Sequence, residues 1–161
     1  RKITQAGVVT TFAGTANTVG NLPRYFNTPW GLAVDPAGNV YVADSADIRK
    51  IAPDGTAAYF VGDQSGTTDF ADGAGSAARF NRPSQLAIDS SGNLYVADQG
   101  NQVLRQVTPT GEVRTLGGHP GAGGHLNGTA NDAYFAAPTG THTKPANSKA
   151  ISHGIPAPVW N

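Results

Sequence analysis

An internal repeat constrains this chain more than any other feature. The run Pro29-Trp-Gly-Leu-Ala-Val-Asp-Pro-Ala-Gly-Asn-Val-Tyr-Val-Ala-Asp44 returns without a gap as Pro83-Ser-Gln-Leu-Ala-Ile-Asp-Ser-Ser-Gly-Asn-Leu-Tyr-Val-Ala-Asp98. Upstream, Tyr25-Phe26-Asn27 answers to Arg79-Phe80-Asn81, and downstream Ile48-Arg49-Lys50-Ile51 answers to Leu104-Arg105-Gln106-Val107. The chain opens on the later half of such a unit, with Arg1 to Gly14 matching Arg49 to Gly62. It ends on the start of another, where Ala133-Tyr-Phe135-Ala-Ala-Pro138 echoes the approach to Pro83. Self-similarity at such a period marks a fold built by repeating one supersecondary unit.

Each unit reads as four short strands. Leu32 to Val34 and Val40 to Ala43 are rich in β-branched and aromatic residues, as strands prefer. Between them Asp35-Pro-Ala-Gly38-Asn39 supplies a Gly that takes positive φ cheaply, which closes a hairpin, and Asp89 to Asn93 repeats the device. Ile48 to Ile51 and Ala57 to Phe60 give a third and a fourth strand around an Asp54-Gly55 turn. The frequent Gly (21) and Pro (11) suit many strands joined by tight turns. No stretch has helical period. The expected fold class is therefore all-β, with propeller blades of four antiparallel strands, since sets of four strands in units of about 40 to 56 residues are the blade pattern. The expected units are a partial blade over 1–14, full ones over about 15–62 and 63–118, and an incomplete one over 119–140. After Gly140 the expected Leu-Ala-Val-Asp strand gives way to a polar, Pro-rich segment, 141–161, read as a divergent tail or a docking arm.

The run Pro-x-x-Leu-Ala-Val-Asp-x-x-Gly-Asn-Val-Tyr-Val-Ala-Asp with the following Ile-Arg-Lys-Ile resembles the NHL repeat. That resemblance covers roughly Arg1 to Pro138 and implies a β-propeller, commonly of about six blades. It implies no single activity. Many such propellers are interaction platforms or sensor domains, some bind RNA, and a few relatives are lyases, with lactonases among neighbouring families. This chain holds material for about three blades, and open blades leave apolar faces and unpaired edges in water. The ring is thus expected to be completed by oligomerisation or by a longer parent chain. In the first case the N-terminal outer strands, Ile3 to Phe12, complete a blade begun by another copy.

Composition narrows the function. Formal net charge is zero, so the basic excess of a nucleic-acid binder is missing. No apolar run is long enough to span a membrane as a helix. Cys and Met are both absent; the first leaves no disulfide framework, and together they are compatible with a secreted or cell-surface protein, the expected location.

The candidate chemistry is sparse. His119, His125, His142 and His153 all lie outside the repeated strands, and they read as solvated loop residues, not as a zinc site. Asp69 and Asp72 have poor spacing for a calcium loop. Gly118 to Gly124 reads as a connection between blades, not a phosphate loop. Asp44 and Asp98 end equivalent strands, and Arg49 and Arg105 begin the next ones. A pair recurring in each unit reads as architectural. Arg24, Tyr25, Trp30, Arg79, Arg82 and Gln85 gather before or at the innermost strands, and Arg and aromatic side chains are favoured anchors of recognition, although packing between blades is the competing reading. The residues therefore point to a non-enzymatic binding or scaffold module with a protein or glycan partner and no cofactor. The alternatives are a metal-dependent lyase or lactonase-like enzyme with its site in the channel, and a purely structural self-assembling subunit.

Overall fold

The computed structural model describes residues 1–15, 18, 23–130, 132–143 and 149–152. Thirteen strands lie among the described residues. They are β1 (Lys2–Ile3), β2 (Val9–Thr10), β3 (Pro29–Val34), β4 (Val40–Asp44), β5 (Asp47–Ile51), β6 (Ala57–Gly62), β7 (Gly73–Ala74), β8 (Pro83–Ile88), β9 (Leu94–Asp98), β10 (Val103–Val107), β11 (Glu112–Gly117), β12 (Gly140–Thr143) and β13 (Lys149–Ser152), with one 3-10 turn at Gly75–Ala77. The first blade is the antiparallel sheet β3-β4-β5-β6. The second is β8-β9-β10-β11, with the short β7 added at its outer edge by the loop that joins the blades.

The hairpin turns are built as the repeat requires, with one addition. Gly38 and Gly92 adopt φ of 84° and 81°. The Asp35 carboxylate accepts from the Asn39 backbone N–H at 2.8 Å and its side-chain amide at 2.7 Å, and Asp89 does the same with Asn93 at 2.9 and 3.0 Å. Asp and Asn of the repeat thus bond to each other across the turn, which spares the backbone an unsatisfied donor.

The blades stack through opposite faces. Side chains alternate along a strand, so Ala33, Tyr41, Ala43, Ile48 and Val61 share one face of the first blade. They form a single buried cluster with Leu86, Leu94, Val96, Val107 and Val113 from the facing side of the second. Small residues set the spacing. A Cβ on Gly31 would lie 2.2 Å from the Ser84 carbonyl oxygen, so β3 and β8 touch backbone to backbone.

The two ends of the chain carry half-blades. Among the described residues β1 and β2 pair only with each other, and the Phe12 carbonyl oxygen lies 2.7 Å from where a Cβ on Gly55 would go, much as Phe60 and Val61 sit against Gly111. The N-terminal hairpin therefore holds the place of outer strands beside the first blade. At the other end the polar segment after Gly140 still forms strands. β12 pairs with β13 as Thr141↔Ile151, His142↔Ala150 and Thr143↔Lys149. Advanced by the Pro83-to-Pro138 step, this is the register of Leu86↔Val96, Ala87↔Tyr95 and Ile88↔Leu94. The segment expected to diverge loses the side-chain pattern of the repeat but keeps its strand pairing as far as Ser152. The expectations that fall on His153 and on the end of the chain, 153–161, lie outside the described residues.

Candidate functional site

The repeated acid and base form a buried clamp in each blade. Asp44 is 0% and Arg49 1% exposed; Asp98 and Arg105 are both 0% exposed. Asp44 accepts from the backbone N–H groups of Asn27 (3.0 Å) and Thr28 (2.6 Å) and pairs with Arg49 at 2.9 Å. Asp98 accepts from Asn81 N–H, the Asn101 side-chain amide and Arg105, each at 2.9 Å. The carboxylate thereby fixes the residues that lead into the innermost strand. The guanidinium reaches the same segment from the other side: Arg49 donates to the carbonyl of Tyr25, and Arg105 to that of Arg79 at 3.0 Å. Each guanidinium also lies over the Phe of the repeat, Phe26 at 5.2 Å and Phe80 at 5.0 Å. Arginine suits this role because its planar fork serves several acceptors at once and its flat face packs on rings.

A second acid completes each clamp, and here the blades differ. In the first it is Asp47, the first residue of β5, 2.9 Å from Arg49. In the second the longer turn places Asn101 there, and Asp72 arrives from the connecting loop, 2.7 Å from Arg105. Asp72 also accepts from the backbone N–H and hydroxyl of Thr115, both at 3.1 Å, so this loop carboxylate ties the outer strand to the clamp. Burial pushes the carboxyls of Asp47 and Asp98 up to about 6, against their Arg and amide donors. Among the described residues no three His, Asp or Glu converge as metal ligands. His119 stacks on the Tyr134 ring, with centroids 4.3 Å apart, so it packs against the third unit where the sequence suggested solvent. His125 is exposed.

The outward candidates sit at the start of the inner strands. Each of these strands carries a β-bulge in the same place, between Pro29 and Leu32 and between Pro83 and Leu86. A bulge inserts one residue and re-aims side chains. Trp30, in the first, is 69% exposed, and Gln85, in the second, is exposed too. Arg82 is exposed just before the second bulge at φ 54°, where its N–H donates to Ser45 at 3.1 Å and links the start of one blade to a turn of the other. Arg24 lies 4.7 Å over the Tyr25 ring and donates to the Tyr25 hydroxyl at 3.0 Å. The structure thus brings Arg24 and Tyr25 into one stack. It sets Arg79 apart from the other five, since that side chain turns to Asp63 (3.5 Å) and the Ala78 carbonyl (2.8 Å). Sequence reasoning missed Asp47 and Asn101 and weighed Asp72 only as a calcium ligand, because none of the three has a counterpart in the other repeat.

Among the described residues no helix is long and apolar enough to cross a membrane. The NHL repeat family matches residues 26–47 and 80–106, which hold β3 and β4 of the first blade and β8 to β10 of the second. Teneurin-1 of Gallus gallus is 28% identical over 81% of this chain, which spans 5% of that protein. Among solved structures, a protein of unknown function from Bacteroides thetaiotaomicron is 25% identical at a TM-score of 0.75, over 91% of this chain and 37% of its own. An auxiliary nutrient binding protein from the same organism is 24% identical at a TM-score of 0.62, over 69% of this chain and 31% of its own, a likeness of fold alone. The chain therefore spans about a third of these structures. The repeat, the blades into which it folds and the two matched segments agree: the chain carries NHL-type repeats folded as propeller blades.

Proposed function

We propose that this chain is a non-enzymatic recognition module, whose partner is a protein or a glycan held at the rim where the inner strands begin. One observation carries the reading: the bulge recurs at the same step of both blades, and its two residues include exposed Trp30 in one and exposed Gln85 in the other. A rigid clamp lies directly behind each bulge, so these side chains and the Arg24–Tyr25 stack are presented at little further cost in entropy. The buried Asp44, Asp47 and Asp98 are meanwhile bound to guanidinium groups, an arrangement suited to holding a fold. Completing the ring takes further blades, from other copies or from a longer parent chain. A secreted or cell-surface location belongs to the same proposal.

The test is a binding screen of the whole chain against glycan and peptide arrays, repeated with Trp30→Ala and with the double variant Arg24→Ala, Tyr25→Ala. The reading expects a ligand whose affinity falls at least tenfold in both variants while their melting temperatures stay unchanged. A ligand bound equally well by wild type and both variants would place recognition elsewhere. Turnover of a lactone or a sugar acid by metal-loaded protein would replace the reading with an enzymatic one.

A further inference from the structure

We propose that the connecting segment 69–72 is a detachable strap. It completes the second clamp from outside the blade, in the places that Asp47 and Tyr59 fill from within the first, and it lifts as a unit while both blades stay folded. It governs the entry to β8 whatever ligand the rim takes.

The two clamps differ in where their parts come from. Asp47 lies opposite Asp44 and Val103 opposite Asp98, so these two residues hold one position in the two sheets. Arg49 lies opposite Tyr59 and Arg105 opposite Thr115, which makes Tyr59 and Thr115 equivalent as well. In the first blade Arg49 Nε donates to Asp47 at 2.9 Å, and the guanidinium lies 5.0 Å from the centre of the Tyr59 ring. In the second blade neither part comes from the strands. Val103 offers no acceptor, and Arg105 Nε is buried without a hydrogen-bond partner among the described residues. Thr115 offers no ring. The strap supplies both. Asp72 lies 2.7 Å from Arg105, and the Phe70 ring lies 4.9 Å from the same guanidinium.

What holds the strap is concentrated on three side chains of the second blade. Arg105 donates to the Ala71 carbonyl at 2.6 Å and to Asp72. The Asn101 amide donates to the Asp69 carbonyl at 2.8 Å, and Thr115 donates to Asp72 from its N–H and its hydroxyl at 3.1 Å. The backbone bonds of the strap to the residues before β8 are long at two places, Asp69 N–H to the Phe80 carbonyl at 3.2 Å and Ala71 N–H to the Arg79 carbonyl at 3.4 Å. The return bond from Arg79 N–H to Ala71 has the ordinary 3.0 Å. The Asp72 side chain is 46% exposed, against 2% for Asp47. A segment with few buried apolar contacts and open backbone bonds unfolds locally, below the free energy of global unfolding. Gly66 (φ 83°) and Gly73 (φ 142°) flank the segment and supply the hinges. What the strap leaves behind keeps its own hold, since Phe80 is 0% exposed and Asn81 N–H is bound to Asp98. Lifting therefore opens Arg105 and the backbone of Arg79 to water while the core between the blades stays closed. The approach to β8 has two states, pinned and released.

Native-state hydrogen exchange of the intact chain tests this without any substitution. The amides of Asp69, Ala71 and Thr115, which bond from or to the strap, are expected to exchange about a hundredfold or more faster than those of Tyr95 and Val96 in β9, at rates that low urea leaves unchanged, as local opening requires. Asp72→Asn is expected to speed the three amides by about tenfold to a hundredfold, as the loss of one bond to a charged group implies, and to lower the urea midpoint. The double variant Asp72→Asn, Val103→Asp returns an acid to the position it holds in the first blade, at unchanged net charge. It is expected to restore the midpoint through Arg105 Nε and to leave the three amides fast. Strap and β9 amides that exchange at one rate, a double variant that regains strap protection along with stability, or one whose midpoint stays as low as that of Asp72→Asn would each overturn the proposal.

Discussion

Replacing Asp98 by Asn removes one charge at almost constant volume, which isolates the electrostatic part of the clamp. Asp98 is fully buried and takes three bonds of 2.9 Å, from Asn81 N–H, the Asn101 amide and Arg105. An amide presents one acceptor and one donor group here, so at least one of these donors loses its partner, and the buried Arg105 keeps only Asp72 as a counter-charge. Breaking a buried pair from one side costs about 3 to 5 kcal/mol, against a total stability of about 5 to 15 kcal/mol for a typical domain. Urea denaturation followed by circular dichroism reads this as a lower midpoint at an unchanged slope. The cost depends on pH. Burial raises the Asp98 carboxyl to about 6, above its unfolded value, so between about pH 8 and pH 5 the folded wild type takes up a proton here and gains stability that Asp98→Asn cannot, and the gap to the variant widens toward pH 5. A loss below about 1 kcal/mol at pH 8, or a gap of equal size at both pH values, refutes the reasoning.

Three further outcomes follow from the same geometry. Gly31→Val destabilises the chain by about 1 to 3 kcal/mol or prevents folding, measured by thermal melting, because its Cβ meets the Ser84 backbone at 2.2 Å and backbone cannot step aside. Leu86→Ala costs about 2 to 5 kcal/mol in urea, since the side chain is 4% exposed in the cluster between the blades. Stability peaks between about pH 4 and 6, read as melting temperature against pH. Asp47 and Asp98 have raised folded pKa values, so the folded state binds more protons than the unfolded one in that window and acidification from pH 7 stabilises it. Below the window the sign reverses. The carboxyls of Asp54 and Asp63 are lowered by bonds from Thr56 and Ser65; at Asp35 and Asp89 partial burial works upward but is outweighed by bonds from Asn39 and Asn93, and the stability these four provide is lost as pH falls through their folded values.

The blades were legible because a propeller writes its strands more than once. Two copies in step separate pattern from accident, so the strand pairs, the Gly38 and Gly92 turns and the pairing of Asp44 with Arg49 could all be read from residues. What does not repeat stayed hidden. Asp47 and Asp72 do one job from unrelated positions, since the turn before Arg105 is longer than that before Arg49 and pushes the second acid out into the connecting loop. The strands β12 and β13 escaped notice for a different reason: their pairing is carried by backbone, while the side chains that announce a strand in the earlier units are absent. At the rim, Trp30 and Gln85 were picked out by residue type, but the bulge that turns them outward depends on one residue more in β3 and β8 than in their partners, which no composition reveals.

The two repeats stack as neighbouring blades. Cross-strand nuclear Overhauser contacts test this stacking directly, with Gly31 as the reporter. Contacts are expected from the Gly31 α-protons to Ser84 and Gln85 across the blades, alongside the pairs Val42 with Arg49 and Val96 with Arg105 within them. Sheet contacts without any contact from Gly31 to Ser84 or Gln85 would show two separate sheets and contradict the propeller.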